Sequence, residues 1–311
     1  LSSIESSLEH MVEVLELDEN PQVPIGPHCN TPYACPLIAR CWSYLPRQNV
    51  LTLSGGKKKG FALLDRGVTN LRTIPATFEV TSKQSIQIEA ARSNRPHVEI
   101  EAIRSFLSEL SYPVYYFDIE TIGPAVPRFD GTRAYQQIPF QYSLHVVDSP
   151  EESPRHHSFL AEGSDDPRPE FLDHLHDSIG LQGSVVVYNA GFEKGILEAS
   201  ALAWPKHADW VKDFLERFVD LLAPFRAFHY YHPDQLGSAS IKTVLPALVG
   251  NSYKGLAISA GQTASLEFTR ITYGLIDAAE RLQVREQLEA YCAQDTMAMV
   301  EIVNKLRNLS A

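Results

Sequence analysis

Cysteine is scarce in this sequence. Four cysteines in 311 residues are too few to staple a secreted domain, so the fold has to rest on a buried apolar core. Long apolar runs are missing as well, and no stretch approaches the roughly 18 uninterrupted residues that cross a bilayer. The opening, LSSIESSLEHMVEVL, carries acidic side chains where a signal peptide has a basic flank and an apolar centre. Together these absences place the expected home in a reducing cytoplasm. Basic charge is also short: 27 Lys and Arg stand against 38 Asp and Glu, a net charge of −11. The deficit is uneven, with 11 basic and 11 acidic residues in 1–108 but 16 basic against 27 acidic in 109–311. Such a balance opposes nonspecific gripping of a long polyanion over a wide surface. It leaves room for acidic groups gathered around bound metal ions, which would neutralise them locally. The 44% hydrophobic and 21% charged composition supports a real core and excludes a disordered tail, and the length suits two domains. The chain opens with Leu rather than Met, as expected of a piece of a longer protein with more upstream.

The pattern of apolar residues divides the chain. Ile4, Leu8, Met11, Val12 and Leu15 recur at helical spacing and predict an amphipathic helix over 3–17. A Pro-rich stretch follows, NPQVPIGPHCNTPYACP, where regular structure is not expected. The one dense basic run, Lys57-Lys58-Lys59, reads as a solvated Gly-flanked loop rather than a phosphate site. Residues 60–106 read as short helices with Gly67 as a stop, and Tyr112-Pro113 marks a boundary. From residue 114 the texture changes. VYYFDIE, FQYSLHVV, HHSFLAE and SVVVYNA predict strands. PEFLDHLHDSI, GFEKGILEASAL, ADWVKDFLERFVDLL, IKTVLPALV and a long C-terminal pattern broken once, GLIDAAERLQ through NKLRNL, predict helices. The order defines an α/β domain with a mixed sheet.

Four carboxylates in this half sit where chemistry would want them. Asp118 and Glu120 are two apart on a predicted strand and share a face, in an otherwise apolar run. Burying an unpaired acid is expensive, so the pair calls for a reason. Glu193 follows the apolar strand SVVVYNA at a helix start, and strand ends are where α/β sheets collect ligands. Asp295 lies four residues after Tyr291 on the C-terminal helix, hence on its face. Acids brought together repel one another unless cations bind, and hard oxygen donors suit Mg²⁺ or Mn²⁺. Two such ions could clamp both oxygens of an in-line phosphoryl displacement. Tyr291 could orient the attacking water, although a normal pKa of about 10 makes it a poor base. Each pattern taken alone is common on solvated surfaces; chain order and setting are what join them.

YFDIET, YNAGFEKGIL and YCAQDTMAMV together resemble the three exonuclease motifs of the DnaQ-like, or DEDD, family within the RNase H-like superfamily, in its tyrosine subclass. The resemblance covers about residues 112–311. It implies an RNase H-like mixed sheet flanked by helices, preceded by a smaller, mainly helical N-terminal region. It also implies Asp118, Glu120, Glu193 and Asp295 as ligands of two Mg²⁺ or Mn²⁺ ions, Tyr291 as the water-orienting residue, and Asn189 at the substrate. The second motif ends in Glu193 where the family usually has Asp, which bears on efficiency. More narrowly, GPHCNTPYACPLIARCW, GTRAYQQIPFQYSLH and YYHPDQLGSASIKTVLPAL resemble a bacterial family of unknown function that joins this module to an N-terminal RecB-like nuclease. In the last segment Ser240 and Lys242 lie near a predicted helix start, a place to meet a phosphate. Gln137, Gln141 and Tyr231 are further candidates for a substrate groove, with packing roles as the alternative.

Cys29, Cys35 and Cys41 are evenly spaced beside Trp42 and suggest a soft-metal site, one ligand short of a tetrahedral set. Residues 1–50 resemble the tail of a RecB-like module whose fourth cysteine would lie upstream. A 4Fe-4S cluster, Zn²⁺ with His28 nearby, or three free thiols are the alternatives, and Cys292 reads as a packing residue. The expected organisation is 1–50 as that tail, 51–111 as a helical linker region and 112–311 as the exonuclease-like domain. The expected activity is metal-dependent phosphodiester hydrolysis, 3′→5′ on single-stranded DNA or RNA. The rivals are an inactive nucleic-acid-binding module guiding an upstream nuclease, an assembly role in which 1–108 docks a partner, and an endonuclease with the same metal chemistry.

Overall fold

A computed structural model of the chain describes residues 2–19, 21 and 23–311. Of the Pro-rich stretch, Asn20 and Gln22 lie outside the described residues. The chain divides into two compact units, Leu1–Glu79 and Val80–Ala311.

The first unit holds α1 (Ser2–Leu15), α2 (Ile38–Cys41) and α3 (Lys57–Leu64), joined by turns. The spacing that predicts α1 is there, yet its apolar stripe stays in solvent: Ile4, Leu8, Met11 and Val12 are each more than half exposed. The unit's small core is instead Val50, Leu51, Leu53, Leu63, Leu71 and Ile74. α3 can approach the 50–52 turn because Gly60 has no side chain; a Cβ there would sit 2.7 Å from the Val50 carbonyl oxygen. Lys57-Lys58-Lys59 do not form a loop. They open α3, because lysine is a good helix former. Gly67 stops the chain's helical course with φ +77, as expected.

The second unit begins with α4 (Ser82–Ser93), started by a capping box in which Thr81 and Gln84 satisfy each other's backbone. β1 (His97–Val98) and α5 (Ile100–Ser108) lead into β2 (Val114–Ile122), β3 (Ile138–Val147) and β4 (Arg155–Leu160). After them come α6 (Arg168–Ser178), β5 (Ser184–Val187), α7 (Ala190–Ala203), α8 (Ala208–Glu216), β6 (Phe218–Asp220), α9 (Ala223–Ala227), β7 (Tyr230–Tyr231), α10 (Ile241–Leu248), α11 (Gly261–Tyr273) and α12 (Ala278–Ser310). The main sheet runs β4-β3-β2-β5-β6, with β2, β3 and β4 antiparallel and β2, β5 and β6 parallel. This is the expected mixed α/β sheet flanked by helices. β2 and β3 are buried almost throughout, although each alternates: Asp118 and Glu120 of β2 and Gln141, Ser143 and His145 of β3 share one face, with Phe117, Ile119, Tyr142 and Leu144 on the other.

Three further details, all in this unit, differ from the elements expected. ADWVKDFLERFVDLL does not stay helical: α8 ends and Phe218-Val219-Asp220 pair with Val185-Val186-Val187 as a fifth strand. Sheet pairing overrides helix propensity there, and the Arg217 guanidinium pins the corner on the carbonyls of Gly180, Gln182 and Gly183. The C-terminal pattern is not broken. Asp277 caps its start by accepting from the Glu280 N–H, and no Gly or Pro interrupts the 33 residues that follow, about 50 Å of helix. α11 was not anticipated; its buried residues, Ala264, Phe268 and Ile271, are few, and the apolar Leu266 faces outward and blurs their spacing.

Candidate metal centre

Two elements supply the centre of the site. Along β2, Phe117 and Ile119 turn into the core while Asp118 and Glu120 share the opposite face. That face lies opposite Ser143 and Gln141 of β3, and a bulge follows Glu120. α12 packs against β2 and β3, placing Tyr291 and Asp295, one turn apart, over the acid pair. The result brings one carboxylate oxygen each from Asp118, Glu120 and Asp295 within 4.8 Å of one another. Asp295 and Glu120 are buried, and Asp118 is partly exposed.

Glu193 comes from the first turn of α7. The chain leaves β5 through Asn189, held at φ +83, whose N–H donates to Asp220 Oδ1 at 2.9 Å. Glu193 is only 3% exposed and its Oε2 has no hydrogen-bond partner. It stands outside the group of three, yet its charge is felt at Asp118.

The electrostatics follow from crowding. Burial first, and then the repulsion of Asp295, pushes Glu120 up to about 8. Burial, with Asp220 adding repulsion, does the same to Glu193, again to about 8. Asp118 is raised by burial and by Asp295, Glu120 and Glu193, and Asp295 by burial. Uncompensated buried charge costs several kcal/mol per ion, so partners matter. The Tyr253 hydroxyl donates to Asp295 Oδ1 at 2.6 Å. Lys242 Nζ donates to the Tyr291 hydroxyl at 3.1 Å and to the Ser259 carbonyl at 2.6 Å. Its ammonium lies 5.0 and 5.4 Å from the ring centres of Tyr291 and Tyr253, favourable for cation–π attraction. The same charge opposes the upward shifts of Glu120 and Asp295. Burial, with Asp295 next, holds the Tyr291 hydroxyl firmly protonated.

Behind the acids lies a polar layer joining α12 to the sheet. Ser143 Oγ is 2.7 Å from Thr296 Oγ1, which is 2.7 Å from His145 Nδ1, and His156 Nε2 is 2.9 Å from Ser143 Oγ. Burial, then the neighbouring His156, pushes His145 down to about 4, so this layer is neutral near pH 7. Gln141, a groove candidate in the sequence, is fully buried and donates to the Leu288 carbonyl at 2.9 Å, another tie between β3 and α12.

The other candidates separate clearly. Lys242 stands at the carboxylates. Ser240 is exposed at the cap of α10, and Asn189 is exposed with its side chain accepting from Arg226 at 3.2 Å. Gln137 accepts from the Thr121 hydroxyl at 2.7 Å. Tyr231 is buried, stacked on Phe228 at 4.6 Å, and is a packing residue rather than a groove residue. Cys292 is buried with its thiol directed at Asp118 Oδ2, 3.8 Å away. Cys29, Cys35 and Cys41 are free thiols graded from buried to exposed. Among the described residues, the carboxylates of Asp118, Glu120 and Asp295 form the one group of three or more metal-binding side chains so closely gathered, and these cysteines form none.

Sequence reasoning missed Tyr253 and the start of α11. Tyr253 sits in NSYKGL, which has no periodicity to mark it. Gly261 lies so close that a Cβ there would be 3.4 Å from Glu120 Oε2 and 4.0 Å from the Tyr291 hydroxyl. Nothing in the sequence paired that glycine with residues far from it in the chain.

The fold and the buried acids thus define an α/β protein with a candidate divalent-cation centre. Residues 115–240 match the family described as "Domain of unknown function (DUF2779)". The match spans Asp118, Glu120 and Glu193 and ends before Lys242, Tyr291 and Asp295. The chain is similar to an uncharacterised protein of Mycoplasma pneumoniae, a homologue of MG366, at 29% identity over 64% of this chain and 33% of that protein. It is also similar to the uncharacterised protein MG366 of Mycoplasma genitalium, at 26% identity over 74% of this chain and 37% of that one. The chain spans about a third of the length of these curated relatives. No solved structure matches it significantly.

Proposed function

We propose that this chain is a divalent-metal-dependent nuclease that hydrolyses phosphodiester bonds, acting 3′→5′ on single-stranded DNA or RNA. The observation that carries the reading is the gathering of Asp118, Glu120 and Asp295 from β2 and α12. The DnaQ-like motif resemblance and the mixed α/β sheet agree with it. Hard carboxylate donors in a buried, mutually repelling group fit Mg²⁺ or Mn²⁺. Asp118, Glu120 and Asp295 would hold the metal, and the unpartnered Oε2 of Glu193 is a further donor. The metal would supply charge neutralisation and a more acidic water.

The chain's own groups have separate tasks. Tyr291 keeps its proton and orients water by hydrogen bonding rather than acting as base. Lys242 stands within reach of that hydroxyl and offers a fixed positive charge to a phosphate oxygen. Tyr253 keeps Asp295 in one orientation. A separate resemblance, carried by GPHCNTPYACPLIARCW, GTRAYQQIPFQYSLH and YYHPDQLGSASIKTVLPAL, implies an upstream RecB-like nuclease, and Glu193 in place of Asp with the acidic surface makes an inactive guiding module the second reading. The test is incubation of 5′-labelled single-stranded DNA and RNA with Mg²⁺, Mn²⁺ or chelator. A metal-dependent ladder shortening from the 3′ end supports the exonuclease. Tight binding without cleavage supports the guiding module, and neither overturns both.

A further inference from the structure

The helix that touches Glu120 also leads away from it. Gly261 faces the Glu120 carboxylate and the Tyr291 hydroxyl, and Ser265, Thr269 and Tyr273 follow at intervals of four, forming one row along α11. Twelve residues of helix carry that row about 18 Å from the carboxylates. Ser265, Thr269 and Tyr273 line a cleft of 760 Å³, whose opposite wall is the segment 122–128 leaving the acid-bearing strand β2. The Ser265 hydroxyl donates to the Thr121 carbonyl, which ties the two walls together one residue beyond Glu120.

The cleft's chemistry is unlike that of the surrounding surface. In a chain of net charge −11, its lining holds no carboxylate and one cation, Arg128. That guanidinium lies over the Tyr273 ring, 3.8 Å from its centre. The remainder is apolar or hydroxyl-bearing: Val126 and Leu266 are exposed, and the wall at 124–127 is Pro-Ala-Val-Pro. Duplex DNA presents phosphates outward and needs a broad basic surface, which is absent from this lining. A single strand also presents base faces, which stack on aromatic rings and guanidinium planes and need little positive charge.

We propose that the α11 row and the 122–128 wall form a track for the single strand next to the scissile end, with Arg128 and Tyr273 as its base-stacking platform. The proposal rests on the nuclease reading above and adds residues that reading does not use. It assigns bases to the cleft and leaves the phosphates to the carboxylate centre and Lys242.

The test compares two substrates on the full chain. Thymidine 5′-(p-nitrophenyl phosphate) reaches only the metal centre, whereas a fluorescent oligothymidylate or oligouridylate also fills the track. Arg128→Ala and Thr269→Glu change partly or fully exposed positions, and Tyr273→Ala removes the ring. Each is expected to hydrolyse the nitrophenyl ester as the parent chain does while losing about tenfold or more in affinity for the oligonucleotides. Excess duplex is expected to compete poorly. Unchanged oligonucleotide affinity in Arg128→Ala and Thr269→Glu, with cleavage intact, overturns the track and leaves the nuclease reading standing. Strong competition by duplex also overturns it. If the parent chain neither binds nor cleaves any of these probes with either metal, the nuclease reading fails and the track with it. The two oligonucleotides separate a DNA track from an RNA track.

Discussion

The two units of this chain treat unusual residues in opposite ways. In 80–311 the exceptional side chains are carboxylates, two of them buried and one partly exposed beneath a long helix, gathered within 4.8 Å of one another. In 1–79 they are three thiols at graded exposure and an amphipathic helix whose apolar stripe lies in solvent. The sequence patterns looked equally suggestive, with regular Cys spacing in one and DxE with Tyr-x-x-x-Asp in the other. Folding distinguishes them by cost. A large core can hold acids in a place where they repel, and such an arrangement is worth noticing because it is destabilising without a partner. A small core places its cysteines wherever the turns leave them.

Asp118→Asn and Asp295→Asn keep the shape of the buried group while removing a charge, and metal-dependent cleavage is expected to fall to background in both. Persistence of cleavage in either would take the chemistry away from this centre. Next in size is a pH effect confined to the second unit. Glu120 and Glu193 have folded pKa values of about 8, against an ordinary 4.5. Between those limits the folded chain holds protons that the unfolded chain has released, so stability is expected to fall as pH rises from about 4.5 through 8. Glu193→Gln should remove part of that slope and stabilise the metal-free protein at pH 8 by a few kcal/mol. Mn²⁺ should raise the melting temperature of the parent chain at pH 8 more than at pH 5. Thermal unfolding at a series of pH values with and without Mn²⁺ checks all three statements.

A smaller effect isolates Tyr253. Its hydroxyl orients a carboxylate from outside the metal group, and Tyr253→Phe is expected to weaken Mn²⁺ binding about 10- to 100-fold while leaving the far-ultraviolet circular dichroism unchanged. The smallest concerns the other unit. Thiol labelling of the folded chain should proceed fastest at Cys41, more slowly at Cys35, and slowest at buried Cys29 and Cys292. Equal protection of Cys29, Cys35 and Cys41, released together by a chelator, would show that they act as one metal site after all.

The sequence carried those parts of the site that repeat a local rule. Asp118 and Glu120 share a face by strand alternation, Tyr291 and Asp295 by helical spacing, and Lys242 was marked by a helix start; the structure gathers all five. What was not legible depends on contacts between distant segments. β6 became a strand because β5 offered it an edge, against the helical spacing of its own residues. Tyr253 and Gly261 reach the carboxylates from loop and helix-start positions with no pattern to announce them. Tyr231 has an aromatic, polar-tipped side chain that suits a groove as well as a core, and only its burial against Phe228 separates the two.

Divalent-cation binding by these carboxylates is tested by Mn²⁺ titration of the chain at pH 8 by electron paramagnetic resonance, with Asp118→Ala and Asp295→Ala in parallel. A metal centre at these carboxylates gives saturable binding in the parent chain, competed by Mg²⁺ and lost in both variants. Binding of equal strength in all three, or none in the parent chain, would contradict it.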